Sequence, residues 1–319
     1  MRKKTALVSL FISFIIIFTA CSNSKSNTND ELQTAPNDKK LNVYASFYPI
    51  YDFTNKIAGD KINLNLIIPA GAEPHHYEIS AKTMAELEEA DLIFLNGLEF
   101  EPWATSLPES LSSKIVNLGE QVNPLPYKEH SHNHDENEVD NFHSHSEFDP
   151  HIWLDPIRAL DMSSIIYDNL SKLDSLNKSI YENNFKLLQN EFKKLDSEYQ
   201  ELKNIENKKE VIVSHNAFSY LSDRYGVEFH SVSGISPENE PSLKALSEIS
   251  DLVKKEDIKV LFFEELANEK IINTLADETN VDSDVLYTIE GMTEEEIDDG
   301  EDYFSKMRLN LTKLIIAVQ

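Results

Sequence analysis

The sequence predicts an α/β protein of two lobes, each with a central, mostly parallel sheet flanked by helices, joined by a long rigid helix. Three observations carry that expectation. Short apolar runs alternate with helix-period segments over residues 41–118, the βαβ pattern of a parallel sheet. The same alternation returns after residue 210. Between the two sets, apolar residues recur every three or four positions with no strand signal. A chain of 319 residues, 40% of them apolar, is long enough for two domains and too apolar to be disordered.

The first residues stand apart. Arg2, Lys3 and Lys4 precede an apolar run over 5–20, which reads as an export signal occupying residues 1–20. The run is shorter than the roughly 20 residues a membrane-spanning helix needs. Thr19 and Ala20 lead directly into Cys21, the only cysteine in the chain. Phe18-Thr19-Ala20-Cys21 resembles a bacterial lipobox, with Phe18 bulkier than usual, so Cys21 is expected to carry lipid. A cysteine used in this way leaves neither a disulfide nor a thiolate, and any metal must be held by nitrogen and oxygen. Residues 21–40 contain almost nothing apolar and read as a flexible tether.

The N-terminal lobe is expected over 41–174, with strands at 41–47, 62–68, 92–95 and 115–118 and helices at 50–58 and 81–90. Residues 159–205 read as helical throughout. Within them Tyr181, Phe185, Leu188, Phe192, Leu195, Tyr199 and Leu202 form one narrow apolar stripe, and the absence of Gly and Pro makes 175–205 a rigid connector. The C-terminal lobe, 206–319, has strands expected at 211–214, 228–231, 260–263 and 285–287. It closes with an amphipathic helix at 302–317 that buries Tyr303, Met307, Leu311 and Leu314.

A formal net charge of −27 argues against nucleic-acid binding, because a phosphate backbone needs a basic face. An acidic surface suits a collector of cations.

Five of the ten histidines, His130, His132, His134, His143 and His145, fall in the acidic, hydrophilic segment 129–147. Such a loop offers weak, exchangeable metal sites whose capture fades near or below a pH of roughly 6.5, as the imidazoles protonate. Three others stand beside patterned structure: His75 in GAEPHHYE, His151 in DPHIWLDP and His215 in VSHNAFSYL. His75 and His215 follow strands, and the loops after parallel strands converge on the ligand-binding edge of a sheet. His151 is stiffened by Pro150 and Pro156. Three imidazoles and one carboxylate would close a tetrahedral site suited to zinc. Glu264, Glu265 and Glu290 all lie near strand ends, and periodicity does not choose among them as the fourth ligand.

These three blocks, together with EGMTEEE and DYFSKMRLNL, are similar in order and spacing to the metal-specific solute-binding lipoproteins of ABC importers, zinc branch. The resemblance runs from about residue 41 to residue 319. It implies two lobes around one buried Zn2+ held by His75, His151, His215 and Glu290. A histidine at position 215, where manganese receptors use a carboxylate, is similar to the zinc branch; imidazole suits zinc, whereas manganese prefers more oxygen. Further implications are an extracytoplasmic location on the cell surface with the chain anchored to the membrane by its N-terminal lipid, and a monomer delivering zinc to a permease and its ATPase. Some relatives carry a further zinc-binding domain at the C-terminus, which this chain is expected to lack.

Three alternatives have distinct signatures. A manganese receptor of the same family would bind manganese in preference. A surface adhesin with a structural metal would unfold on chelation. A zinc hydrolase would need an open coordination position and a nearby base, and no HExxH segment occurs.

Overall fold

The computed structural model of the protein describes residues 39–127, 147–233, 243–265 and 270–319. Cys21, the tether to residue 38 and the five histidines of the 129–147 segment lie outside the described residues.

The first sheet is built from β1 (Asn42–Ala45), β2 (Asn63–Leu66), β3 (Leu92–Leu95) and β4 (Ile115–Asn117). The second comprises β5 (Val211–Val213), β6 (Phe229–Ser231), β7 (Val260–Phe263) and β8 (Asp282–Val285). Their orders are β2-β1-β3-β4 and β6-β5-β7-β8, the same topology used twice, and every strand pairing is parallel. In this order the chain reverses direction across the sheet between β1 and β3, and again between β5 and β7. Loops leaving the strand ends at such switch points diverge and open a crevice.

Period-two alternation divides the cores. Val43, Ala45, Leu92 and Phe94 face a large central cluster that also includes Val211, Val213 and Phe262 of the second sheet. The opposite residues, Ile93 and Leu95, pack outward with Leu87 of α2 (Ala81–Glu88). Ile212 and Leu261 likewise face outward, against Ile249 of α6 (Leu243–Lys255) and Leu275 of α7 (Lys270–Thr279). Helix ends follow local chemistry. Ser80 caps α2 by accepting from Thr83 N, and Asp155 caps α3 (Pro156–Leu173), whose first residue is proline.

The stretch expected as one helix is two. Helix α3 stops at Leu173, and after four intervening residues α4 runs Lys178–Tyr199. No Gly or Pro causes the break. The Asp174 carboxylate does: it accepts from Asn177 N, Asn177 Nδ2 and Tyr181 Oη, giving the backbone a turn in place of helix. Past the break, α4 touches both lobes. Asn184 Nδ2 donates to Ile57 O of α1 (Tyr48–Ala58), and Phe192 packs on Phe53 of the same helix. Further along, Asp196 accepts from Tyr225 Oη of α5 (Ser219–Tyr225), and Tyr199 Oη donates to Met307 O of the final helix. The short α8 (Glu294–Asp298) precedes that helix, α9 (Tyr303–Ala317), which Asp302 caps.

The last strand differs from expectation as well. It is Asp282–Val285 instead of 285–287. Being an edge strand with exposed Asp282, Ser283 and Asp284, it carries little apolar signal. The apolar 285–287 run is held afterwards by side chains: Asn310 donates to Tyr287 O and accepts from Tyr287 N.

Candidate metal centre

Four chain segments meet where the two sheets direct their strand ends. The loop after β2 brings His75, and Gly71 N in that loop, at φ +75°, donates to Met292 O of the other lobe. Glu73 folds back to accept from His75 N and His76 N, which shapes the turn. His76 itself points outward and is half exposed.

His151 is fixed from several sides. Asp149 accepts from His151 N at 2.9 Å and lies 2.8 Å from Nδ1. Asn96 Nδ2 donates to Pro150 O, and Tyr220 Oη donates to Asp149 O. His215 comes two residues after β5, where Glu264 Oε1 accepts from His215 N at 3.0 Å and stands 2.7 Å from Nδ1. In both pairs a carboxylate on Nδ1 leaves Nε2 to face the crevice, the arrangement by which outer carboxylates orient metal-binding imidazoles.

Glu290 completes the group. Its Oε1 lies 3.6 Å from His75 Nε2, 3.2 Å from His151 Nε2 and 3.5 Å from His215 Nε2, and the two latter nitrogens are 3.3 Å apart. A tetrahedral zinc with ligands at about 2.0–2.1 Å has donor atoms about 3.3–3.4 Å apart. These four spacings lie close to those of a zinc polyhedron. His151 and His215 are fully buried, and Glu290 is 5% exposed. His75 Nε2 and Glu290 Oε1 are buried atoms with no hydrogen-bond partner, although each faces the other groups of the cluster. Unpartnered buried polar atoms are costly, and a shared cation is what would satisfy them together.

Electrostatics follow the geometry. Burial pulls the His215 pKa down, but Glu264 and then Glu290 outweigh it and carry it up to about 10. Burial likewise opposes the upward shift of His151, and Asp149 and Glu290 overcome it. Burial alone would raise Glu290; the three imidazoles hold it well below the usual carboxylate range. Without metal, these raised values favour protons on the His151 and His215 rings.

Three carboxylates missed by sequence reasoning as site-builders appear here. Asp149 stands two residues before His151, close enough to reach its N–H, and that local signal was readable. Glu264, considered only as a rival fourth ligand, backs His215. Glu265 captures Thr288 N at 3.0 Å and Ile289 N at 2.7 Å. Ile289 has φ +59°, a left-handed conformation that costs a β-branched residue about 1–3 kcal/mol. The first lobe repeats the device. Glu101 accepts from Asn96 N and Gly97 N, beside the left-handed Leu98 and Glu99, and Phe100 then packs its ring edge-on to His75 at 5.0 Å.

The ends of the histidine-rich segment are tied together beside the site. Tyr127 N donates to Glu147 O and Asp149 N to Leu125 O, so the described residues on either side of it pair with each other just before His151.

Residues 43–317 match the family model described as zinc-uptake complex component A, periplasmic. The chain belongs to this zinc-uptake component A family. It is 36% identical over 318 residues to the zinc-binding lipoprotein AdcA of Streptococcus pneumoniae, a match covering 98% of this chain and 60% of that protein. The chain therefore spans about three-fifths of the length of that relative. It is 34% identical over 317 residues to the high-affinity zinc uptake system protein ZnuA of Bacillus subtilis, covering 98% of both chains. Among solved structures, the Zn(II)-bound ZnuA-like domain of the pneumococcal AdcA superposes with a TM-score of 0.73 at 36% identity, covering 88% of this chain and 99% of that one. The doubled sheet with helices on both faces is thus the architecture of the zinc-uptake component A family.

Proposed function

We propose that this protein is the extracytoplasmic receptor that captures Zn2+ and delivers it to the permease and ATPase of an ABC importer, with His75, His151, His215 and Glu290 as the four ligands. The observation that carries the reading is the cluster itself: three Nε2 atoms from three distant loops face one carboxylate oxygen at 3.2–3.6 Å. Its donor set of three nitrogens and one oxygen selects zinc over manganese, which favours more oxygen ligands. Kinship with proteins named for zinc binding and zinc uptake points the same way.

Four ligands from the protein leave no coordination position for a reactive water, which separates a receptor from a zinc hydrolase. Glu290, Asp149 and Glu264 bring three negative charges to a largely dry pocket, favouring a divalent cation. The proposal extends to Cys21 as the lipid attachment point holding the receptor at the cell surface. It also assigns His130, His132, His134, His143 and His145 to auxiliary capture, from a segment whose ends are tied next to the main site.

The test is titration calorimetry and metal analysis on the mature chain, comparing zinc with manganese in wild type and His215→Ala. The expected result is one tightly bound zinc, weaker manganese, and loss of tight zinc binding in the variant. Metal-free protein is expected to stay folded and rebind zinc. Unfolding on chelation would make the metal structural, and metal-dependent turnover lost with His151 would make the protein an enzyme.

A further inference from the structure

We propose that Glu265 is a positioning residue that sets how long a bound zinc is retained, by holding the strained backbone that aims Glu290. The inference rests on the zinc-receptor reading and deepens it. Glu265 does not reach toward the imidazoles. Both its oxygens are turned on the backbone: Oε2 takes the N–H of Thr288 at 3.0 Å, and Oε1 takes the N–H of Ile289 at 2.7 Å. A carboxylate offers an acceptor oxygen to each of two successive amides.

The segment is clamped on every other side too. Asn310 bonds Tyr287 through both its N–H and its carbonyl, and Trp153 Nε1 donates to Thr288 O at 2.7 Å from the far side of the crevice. Ile289, fully buried, is nevertheless left-handed at φ +59°. A β-branched residue persists there only where its surroundings over-determine it. Its neighbour Glu290 provides the single oxygen that all three imidazoles face. If the two amides are released, Ile289 relaxes toward negative φ, the direction of Glu290 changes, and the site loses its oxygen corner. Glu265 is therefore a latch one residue removed from the metal chemistry, on the same loop for which Trp153 is the reporter across the crevice.

The experiment uses the full mature chain loaded with zinc, and separately with Co2+ as a spectroscopic probe. Glu265→Gln keeps the shape but has one acceptor oxygen, and its amide N–H2 opposes one of the two backbone donors. Glu265→Asp keeps both acceptors on a shorter stem and is the second variant should the first not fold. The expected result is one zinc bound in every case. Release into excess chelator should be about tenfold faster or more in Glu265→Gln, with Glu265→Asp between it and wild type. The tetrahedral Co2+ absorption should shift in position or intensity in the same order. A residue that only stabilised the fold would lower the unfolding midpoint of the metal-free protein without changing that spectrum. Release within twofold of wild type, or an unchanged Co2+ spectrum, in a folded variant overturns the proposal while the receptor reading stands. Failure of the wild type itself to bind zinc would instead remove the reading on which it rests.

Discussion

Replacing Glu264 with glutamine separates a ligand from a residue that backs a ligand. Glu264 Oε1 serves both His215 N, at 3.0 Å, and His215 Nδ1, at 2.7 Å. Glutamine keeps a carbonyl oxygen at that point, so both contacts survive and the negative charge is what disappears. Removing an outer partner of a metal-bound imidazole costs about 10- to 100-fold in affinity. The charge, however, favours a positive group on the far side of the ring whether that group is zinc or a proton. Because the metal-free ring has its pKa raised to about 10, zinc displaces a proton from it, and part of the loss cancels. The expected deficit therefore lies at the low end, about tenfold or about 1.4 kcal/mol. Glu264→Ala goes further. It also strips the buried His215 N–H of its acceptor and takes the carboxylate away from Nδ1, so affinity should fall toward a hundredfold and stability by upwards of about 2 kcal/mol. Competition against a chromogenic chelator of known zinc affinity, near pH 7.5, reads both variants. Glu290→Gln measured alongside should lose more than about a hundredfold, beyond what outer partners account for. If Glu264→Gln binds no zinc while Glu290→Gln binds normally, the roles given to the two carboxylates are reversed and the reasoning fails.

Zinc affinity should rise with pH between about 7 and 9, because the metal-free protein holds a proton on His215 until the pH approaches its raised value of about 10; a flat profile in chelator competition would contradict this. The same shift makes the metal-free protein lose stability on that account as pH rises from about 6.5 through about 10, an effect that denaturation with and without zinc resolves as smaller in the zinc-loaded form. Deleting residues 129–147 should leave one tightly bound zinc and slow its capture only when zinc is scarce; disappearance of the tight ion would show that the segment builds the main site. Trp153→Phe removes the indole donor to Thr288 O and part of a ring packed on Phe47 and Phe100, so about 2–4 kcal/mol of stability should be lost in urea denaturation, and a loss below about 0.5 kcal/mol would mean the cross-crevice bond is idle.

Much of the architecture was legible because a strand buried on both faces has to be apolar throughout. β3, reading Leu-Ile-Phe-Leu, is that case, and its limits match expectation. β8 was misplaced for the complementary reason: an edge strand reading Asp-Ser-Asp-Val looks like a loop. The helix break at Asp174 was invisible to a search for Gly and Pro, since a carboxylate with three donors can end a helix as well as either. At the cluster, the histidines stood out in the sequence because imidazole is uncommon, His75 and His215 follow strands, and His151 sits between two prolines. Glu264, Glu265 and Glu290 could not be ranked by pattern because all three converge on the same region. One backs a ring, one holds a backbone, and one faces the rings, a difference of side-chain direction that periodicity does not carry. Glu101 and the left-handed run beginning at Gly97 left no trace in hydropathy, since a buried carboxylate satisfied by backbone amides looks like any surface acid in a list of residues.

The course of α4 has a mechanical consequence. Between Asn184, which holds the first lobe, and Asp196, which holds the second, the helix is unbroken, and Lys56 of α1 is also paired with Asp302 at 2.9 Å where α9 begins. Both halves are mounted on one rod, so a wide clamshell swing would have to bend a helix that has no weak point. On the receptor proposal, cargo would exchange by short loops peeling away from a fixed chassis, and the radius of gyration in solution should be nearly the same whether the cation is aboard or gone.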